Sequence, residues 1–164
     1  MDTPLIRRAT PDDAVAIAAI YNHHVVNTVV TFEEIPVDEA AMRSRIADIE
    51  ASHAWFVATV DGRIGGYAYA SVWRARSAYR RSVETTVYVD GDRTRRGLGR
   101  ALYDALLPEL AQRGFHCAMG GIALPNAASV ALHERTGFAK VAHFREVGWK
   151  LGRWIDVGYW QRLL

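Results

Sequence analysis

The sequence predicts an α/β (α+β) fold with a mixed sheet. Runs with strand and helix periodicity follow one another in the order β-α-α-β-β-β-α-β-α-β-β. The 164 residues match the size of one domain and suffice to bury one substantial core. We therefore expect residues 1–164 to form a single domain, with no internal repeat or linker.

The N-terminal half predicts a strand, two helices and a hairpin. Thr10 suits a helix cap and Pro11 the first helical turn, while Asp61-Gly62 between two β-rich runs signals a tight hairpin turn. The first helix carries an apolar stripe formed by Ala14, Ile17, Ala18, Tyr21 and Val25. The predicted elements are strand 5–9, a helix starting at 10–13, an irregular β-rich connection over 28–36, a helix over 37–51, and strands 55–60 and 64–70.

The stretch from Val83 to Leu102 is the most informative part of the chain. A strand over 83–89 is followed by a polar turn, a glycine-containing loop and a helix with apolar spacing from Leu98 onwards. Such a loop is an anion site, because unpaired backbone N–H groups meet the positive end of the helix dipole and glycine allows close approach. We expect it to hold a pyrophosphate. A GxxxxGK(S/T) motif is absent, and Leu102 stands where a dinucleotide fingerprint needs its third glycine.

The C-terminal half predicts a further helix and three strands. Pro108 is expected to kink the helix that starts at Leu98, near Asp104, because proline removes a backbone hydrogen bond. The remaining predicted elements are strand 115–122, a short helix over 126–136, and strands 140–147 and 155–163 with a turn around 148–152.

Composition excludes several classes of function. A net charge of +2 is too small to argue for nucleic acid, and no apolar stretch approaches the roughly 20 residues that a membrane span needs. The N-terminus lacks the apolar region of a signal peptide, and the single cysteine, Cys117, fits a reducing compartment and a core position. The histidines show no metal-ligand spacing. We expect a cytoplasmic protein without a metal, nucleic-acid or membrane partner.

Two motifs resemble those of the GNAT acetyltransferases. The loop 94–99 resembles their pyrophosphate loop, (Q/R)xxGx(G/A), with Thr94 at the first position; the frame Arg96–Ala101 restores an arginine there. The segment 124–138 matches NxxSxxLxexxGF, which follows the coenzyme A site in that family. Further segments resemble the phosphinothricin and methionine sulfoximine N-acetyltransferases; they are 31–33, 73–79, 83–89, the Leu132-His133-Glu134 triplet and 148–161.

The resemblance implies a mixed, mostly antiparallel sheet flanked by helices, with a splayed central strand, and acetyl-CoA as cosubstrate. It also implies a homodimer. By resemblance, the Val89 N–H would serve the oxyanion, and Asn126 would hydrogen-bond the pantetheine. Ser129 is either a helix-start residue or a coenzyme contact. The residues implied in coenzyme binding are Val87, Tyr88, Val89, Arg95, Arg96, Gly97, Leu98, Gly99, Arg100, Asn126 and Ser129.

Glu84 is the candidate general base, acting directly or through a water. A carboxylate on a central strand is costly to bury unless it is paired or used, so the alternative is a Glu84 paired with Arg74 or Arg76. His133 occupies the position where many GNAT enzymes carry a tyrosine that protonates the departing thiolate. It would either serve as that acid or line the site.

The acceptor implied by the resemblance is a small amino acid analogue with a carboxylate and a tetrahedral polar group. Arg74, Arg76 and Tyr79 precede the catalytic strand and would recognise such groups, unless the arginines are solvated surface. Phe32 and Glu33 would close the pocket, with Glu33 near the amine. The C-terminal aromatic residues are expected in the core and at a subunit interface.

Three functions remain open at this point. The leading hypothesis is an acetyl-CoA-dependent N-acetyltransferase acting on the α-amine of a small amino-acid-like substrate. The second is a protein N-acetyltransferase that modifies a chain terminus or a lysine, which would need an open acceptor groove. The third is a catalytically silent coenzyme A-binding module, which would keep the glycine loop and have no need of Glu84.

Overall fold

The computed structural model describes residues 4–91 and 97–164. Within these ranges the elements follow the predicted order, with short 3-10 turns at Pro11–Asp13 and Ser77–Tyr79. The elements are β1 (Leu5–Arg8), α1 (Ala14–Asn27), α2 (Glu39–Ser52), β2 (Ala54–Val60), β3 (Arg63–Val72), β4 (Ser82–Val89), α3 (Leu98–Gln112), β5 (Cys117–Leu124), α4 (Ala127–Arg135), β6 (Ala139–Lys150) and β7 (Arg153–Leu163).

The strands form one sheet in the order β1-β2-β3-β4-β5-β7-β6. Only the β4–β5 pair is parallel, and the other described pairs are antiparallel. The prediction of a mixed, mostly antiparallel sheet is therefore confirmed. At the β2–β3 hairpin, Asp61 and Gly62 both have positive φ, 53° and 73°, as the predicted tight turn requires.

Strands β4 and β5 part halfway along their length. Their pairing covers only 82–84 against 117–119, with Glu84 opposite Met119 as the last pair. Beyond that point β4 continues to pair with β3 as far as Val89, and β5 continues to pair with β7 as far as Leu124. The sheet thus opens into a gap between its two central strands, which confirms the predicted splayed strand.

Each face of the sheet carries its own apolar core. Helix α3 packs on one face, here called the α3 face, where Leu102, Tyr103 and Leu106 are fully buried. Helices α1 and α2 pack on the other, the α1 face, which contains Trp55 and Tyr67. The predicted stripe of α1 is buried throughout, with Ala14, Ile17, Ala18, Tyr21 and Val25 all at or below 7% exposure.

Several element boundaries differ from prediction. Helix α2 begins at Glu39, because the Asp38 carboxylate caps it by accepting from the Ala41 N–H at 2.7 Å. Helix α3 contains Pro108, as expected, and ends at Gln112. The turn predicted around 148–152 is shorter than expected, because β6 extends to Lys150 and only Leu151 and Gly152, both with positive φ, form the turn.

Candidate active site

A cavity of about 1450 Å³ lies where β4 and β5 part. Backbone and side chains from both faces of the sheet line it. The α3 face contributes the first turns of α3 and α4 together with Tyr103 and His133. The α1 face contributes Glu84 and the residues around it; they are Phe32, Arg74, Phe144, Val147 and Tyr159.

Glu84 lies at the point where the strands separate. A Cβ placed on Gly121 of β5 would be 3.2 Å from the Glu84 Oε1, so the carboxylate packs directly over that glycine. Burial raises the pKa of Glu84 above its ordinary value, and the charge of Arg74 offsets part of this rise. Within residues 4–91 and 97–164 no cation lies within 4 Å of the carboxylate, so the structure gives no support to the ion-paired alternative. A raised pKa is the property that a general base working near neutral pH needs.

His133 is 3% exposed and lies on the α3 face of the sheet, whereas Glu84 lies on the α1 face. Its Nδ1 is 2.8 Å from the Ser129 carbonyl oxygen, and its Nε2 is 3.0 Å from the Tyr103 hydroxyl. Burial lowers the pKa of His133, which favours the neutral ring at physiological pH. Because a carbonyl can only accept, the proton of the neutral ring sits on Nδ1, and Nε2 faces Tyr103.

A polar chain continues from His133 across the start of the gap. The Tyr103 hydroxyl is also 3.2 Å from the Thr85 Oγ1, which donates to the Met119 carbonyl at 3.3 Å. The imidazole can pack this closely to β5 because Gly120 has no side chain: a Cβ there would be 2.5 Å from the His133 Nε2. The chain joins α4, α3, β4 and β5 at the place where the sheet opens.

The first turn of α3 opens onto the cavity. Gly97 caps the helix in the left-handed conformation, with φ 74°, which glycine adopts without strain. Gly97, Leu98, Gly99 and Arg100 all line the cavity. The Arg100 guanidinium is occupied within the protein, because it donates to Asp104 at 2.8 Å and to the Arg135 carbonyl at 3.1 Å. The predicted coenzyme contacts Arg95 and Arg96 lie outside the described residues.

The first turn of α4 meets the same cavity. Asn126 caps this helix, its Oδ1 accepting from the Ser129 N–H at 3.1 Å, so the capping role considered for Ser129 belongs to Asn126. Both residues line the cavity, as do Val87, Tyr88 and Val89 on the end of β4 that has parted from β5.

The structure brings together only part of the predicted acceptor set. Phe32 and Arg74 line the cavity beside Glu84. Glu33 is held instead by Arg45, whose nitrogens donate to its two oxygens at 2.6 and 2.9 Å, and by the Tyr21 hydroxyl. Arg76 and Tyr79 are exposed, and they are not among the described residues that line the cavity.

Several lining residues escaped sequence reasoning. Two adjacent glycines, Gly120-Gly121, inside a predicted buried strand signal a close approach of another group, and this clue was available. His24, read from the sequence as a polar helix position, lines the cavity with its Nδ1 buried and without a partner among the described residues. The residues without a local signal were Tyr103, Phe144, Val147 and Tyr159.

Metal and membrane features are absent from the part of the chain that the structure covers. No group of three or more His, Cys, Asp or Glu side chains could hold a metal ion there. No helix in that part is long and apolar enough to cross a bilayer.

Comparison with protein families and curated proteins gives consistent matches. Residues 6–158 match the acetyltransferase (GNAT) domain. A phosphinothricin N-acetyltransferase of Streptomyces viridochromogenes is 40% identical over 157 residues, covering 96% of this chain and 86% of that protein. An L-methionine sulfoximine/L-methionine sulfone acetyltransferase of Salmonella typhimurium is 37% identical over 160 residues, covering 95% and 92%.

Two solved structures resemble this chain along nearly its whole length. A GNAT superfamily phosphinothricin acetyltransferase from Sinorhizobium meliloti, in complex with acetyl-CoA, has a TM-score of 0.95 at 36% identity and covers 99% of this chain and 89% of its own. A ribosomal-protein-alanine N-acetyltransferase from Brucella melitensis has a TM-score of 0.94 at 36% identity, covering 98% and 99%.

Proposed function

Because the chain belongs to the GNAT acetyltransferase family and is an acetyl-CoA-dependent N-acetyltransferase, we propose that its acceptor is the α-amine of a small amino-acid-like molecule, of the phosphinothricin, methionine sulfoximine or methionine sulfone type. One observation carries this proposal. Glu84, a half-buried carboxylate with a raised pKa, lies where the sheet parts, on the same cavity as the Arg74 guanidinium and several aromatic rings. A base, a cation and an apolar wall are what an amino acid with an apolar stem requires.

The parted strands and helix starts suit acetyl-CoA. Asp90 donates its N–H to the Gly65 carbonyl, towards β3, at 2.9 Å. Since backbone groups alternate in direction along a strand, the Val89 and Val87 N–H groups point the other way, into the gap. At these positions the N–H groups would donate to the pantetheine, and the first turns of α3 and α4 would offer N–H donors to the diphosphate.

The chemistry that acetyl-CoA supplies is an acetyl thioester, which an amine attacks directly in a ternary complex. Glu84 would accept the proton of the ammonium group, directly or through a water, so that the nitrogen lone pair can form the new C–N bond. The Val89 N–H would donate to the oxygen that becomes negative as the bond forms. The thiolate would then leave as the C–S bond breaks, and it would take up the second proton, which the acylated nitrogen loses.

We expect His133 to lie beside the sulfur of the acetyl thioester. It shares the α3 face with the helix starts that would hold the coenzyme, whereas Glu84 shares the α1 face with Arg74 and Phe32. The neutral ring, with Nδ1–H fixed on Ser129, presents Nε2 towards Tyr103. Because Nε2 of the neutral ring carries no proton, His133 would serve as the acid only after taking up a proton that the amine nitrogen loses, and otherwise the ring simply lines the acetyl site.

A protein N-acetyltransferase is the second candidate, because the ribosomal-protein-alanine N-acetyltransferase from Brucella melitensis is 36% identical to this chain. A panel assay separates the two. Thiol release from acetyl-CoA is measured with phosphinothricin, methionine sulfoximine, methionine sulfone, free amino acids, and peptides that begin with alanine. We expect the amino acid analogues to be preferred by kcat/KM. Preference for the peptides would refute the proposed acceptor class, and no thiol release with any acceptor would indicate a silent coenzyme A-binding module.

We propose further that the chain works as a cytoplasmic homodimer. Large apolar side chains of the β6–β7 hairpin are exposed: Trp149 is 56%, Leu151 58% and Trp154 60% exposed. Contiguous apolar surface of this kind is typical of protein interfaces. Light scattering should give twice the chain mass, and Trp154→Glu should shift it towards the monomer, whereas Val15→Glu on the exposed side of α1 should not. A monomeric wild type would refute the dimer.

A further inference from the structure

Strand β6 carries a large bulge beside the cavity. Phe144 is paired with Val157 and Gly148 with Ile155, so three residues of β6, 145–147, stand opposite the single residue Asp156 of β7. Glu146, at the centre of the bulge, has φ 50°, a left-handed conformation that costs energy in a residue with a side chain. A bulge re-aims the side chains next to it, and this one requires something to hold its shape.

Asp156 holds the bulge with both carboxylate oxygens. Its Oδ1 accepts from the Glu146 N–H at 2.8 Å, and its Oδ2 is 2.7 Å from the His143 Nε2. The His143 Nδ1 in turn is 3.1 Å from the Lys140 Nζ. Both bonds hold the pKa of Asp156 below its usual value. One side chain on β7 thus ties the centre of the bulge to His143, which lies just before the bulge on β6.

The side chains that the bulge places belong to the cavity wall. Phe144 and Val147, on either side of Glu146, both line the cavity that contains Glu84. The Phe144 ring packs edge-on against Tyr159, with centroids 5.8 Å apart. Immediately after the bulge, Gly148 makes room for Phe32, since a Cβ there would be 2.4 Å from the Phe32 ring. The apolar wall opposite Glu84 therefore depends on the course of the bulge.

We propose that Asp156 is a positioning residue for acceptor selectivity: by holding the 145–147 bulge it sets Phe144, Val147 and Phe32 at the distance that fits the side-chain stem of the acceptor. Asp156 is not among the described residues that line the cavity, and in this proposal it takes no part in the transfer of the acetyl group. This inference rests on the proposed function, because it concerns the acceptor part of the same site.

The test compares Asp156→Ala with Asp156→Asn and with Asp48→Ala, a change of an exposed aspartate on α2. For each protein, kcat and KM are measured for methionine sulfone, alanine and acetyl-CoA, together with Tm. We expect Asp156→Ala to raise KM for methionine sulfone about 10-fold and to lower the preference for it over alanine, since a misplaced wall loses its fit to the longer stem. The KM for acetyl-CoA should stay within about 2-fold. Asp156→Asn, which keeps an acceptor for the Glu146 N–H, should recover much of the selectivity, and Asp48→Ala should match the wild type.

Two results would overturn the inference. One is an Asp156→Ala protein with the wild-type ratio between methionine sulfone and alanine. The other is a parallel loss for both substrates and acetyl-CoA that follows a fall in Tm, which a merely structural role predicts. Calorimetric binding of methionine sulfone to the enzyme–coenzyme A complex gives the same comparison without turnover. Wild-type protein that binds the amino acid and transfers nothing to it would refute the proposed function instead.

Discussion

The two faces of the central gap are built in different ways. On the α3 face the backbone supplies much of the site: the end of β4 that has parted from β5, the left-handed Gly97 and the capped start of α4. On the α1 face it is formed by side chains from distant segments, among them Phe32, Arg74 and Phe144. Backbone groups suit the coenzyme, because they stay the same when side chains are substituted. A wall of side chains can be altered by substitution to fit a different acceptor.

The two faces are also held by different forces. The α3 face rests on a large apolar cluster in which Leu98, Leu102 and Leu106 are fully buried. The loop that carries Phe32 is held mostly by polar contacts: Lys150 donates to the Thr31 carbonyl at 2.7 Å, and Arg45 binds Glu33. If this division is functional, substitutions on the α3 face should change the KM for acetyl-CoA. Substitutions on the α1 face should change the KM for the acceptor.

The largest effect is expected at Glu84, where β4 parts from β5. Glu84→Gln keeps the shape and removes the base, so turnover should fall about 10²–10⁴-fold. Binding of acetyl-CoA should be unchanged, because the carboxylate does not belong to the helix starts or to the end of β4. Steady-state kinetics and calorimetry measure the two quantities, with the exposed Glu39→Gln as control. Unchanged turnover would remove Glu84 as the base.

Gly120→Ala tests whether the α3 face depends on close packing. The new Cβ would be 2.5 Å from the His133 Nε2, and the ring cannot move without losing Ser129 or Tyr103. We expect a loss of about 1–3 kcal/mol in the free energy of unfolding, as overpacking gives, and a fall in turnover of about 10-fold. Gly91→Ala is the control, since no atom of the described residues other than its chain neighbours lies within 4 Å of a Cβ there. Calorimetric Tm values that match for both variants would show that His133 has room to move.

Much of the α3 face could be predicted from sequence, because its signals are local. The strand 83–89, the helix from Leu98 and the Asn126 segment each occupy one continuous stretch, in which periodicity and glycine positions report the backbone course. Glu84 could be singled out because it is a carboxylate in an otherwise apolar or hydroxylated strand. The parting of β4 from β5 was predicted by resemblance alone, since no pattern within either strand records where a pairing stops.

The α1 face could be predicted only in part, because its contacts join residues far apart in the chain. Glu33 was expected near the amine, yet Arg45, on the next helix, binds it. Lys150 and Thr31 are separated by 119 positions, and neither residue signals the other. The bulge at 145–147 depends on the register between two strands, which a shift of one residue would change without altering either strand's own pattern.

Lys150→Met tests the polar attachment of the acceptor loop. Lys150 is 2% exposed, burial lowers its pKa, and its Nζ is bonded to the Thr31 carbonyl next to Phe32. Removing this bond should loosen the loop and raise the acceptor KM about 5-fold, with little effect on the KM for acetyl-CoA. Arg63→Met, at the exposed start of β3 and outside the described residues that line the cavity, provides a control change of charge. An effect on acetyl-CoA as large as that on the acceptor would contradict the division between the faces.

The smallest expected effect is on stability, and it depends on pH. In the folded protein burial raises the pKa of Glu84, so ionising this carboxylate costs stability as pH rises through that raised pKa. Below the ordinary pKa of a glutamate the group is protonated in both folded and unfolded chains and costs nothing. Glu84→Gln should therefore have the wild-type Tm near pH 4 and a Tm about 1–3 °C higher near pH 8. Arg74→Gln, which removes the charge that lowers the Glu84 pKa, should change Tm in the opposite sense at pH 8. Calorimetric scans between pH 4 and 8 measure both; a Glu84→Gln protein less stable than the wild type at pH 8 would mean that the carboxylate is stabilised by its surroundings and is not poised to accept a proton.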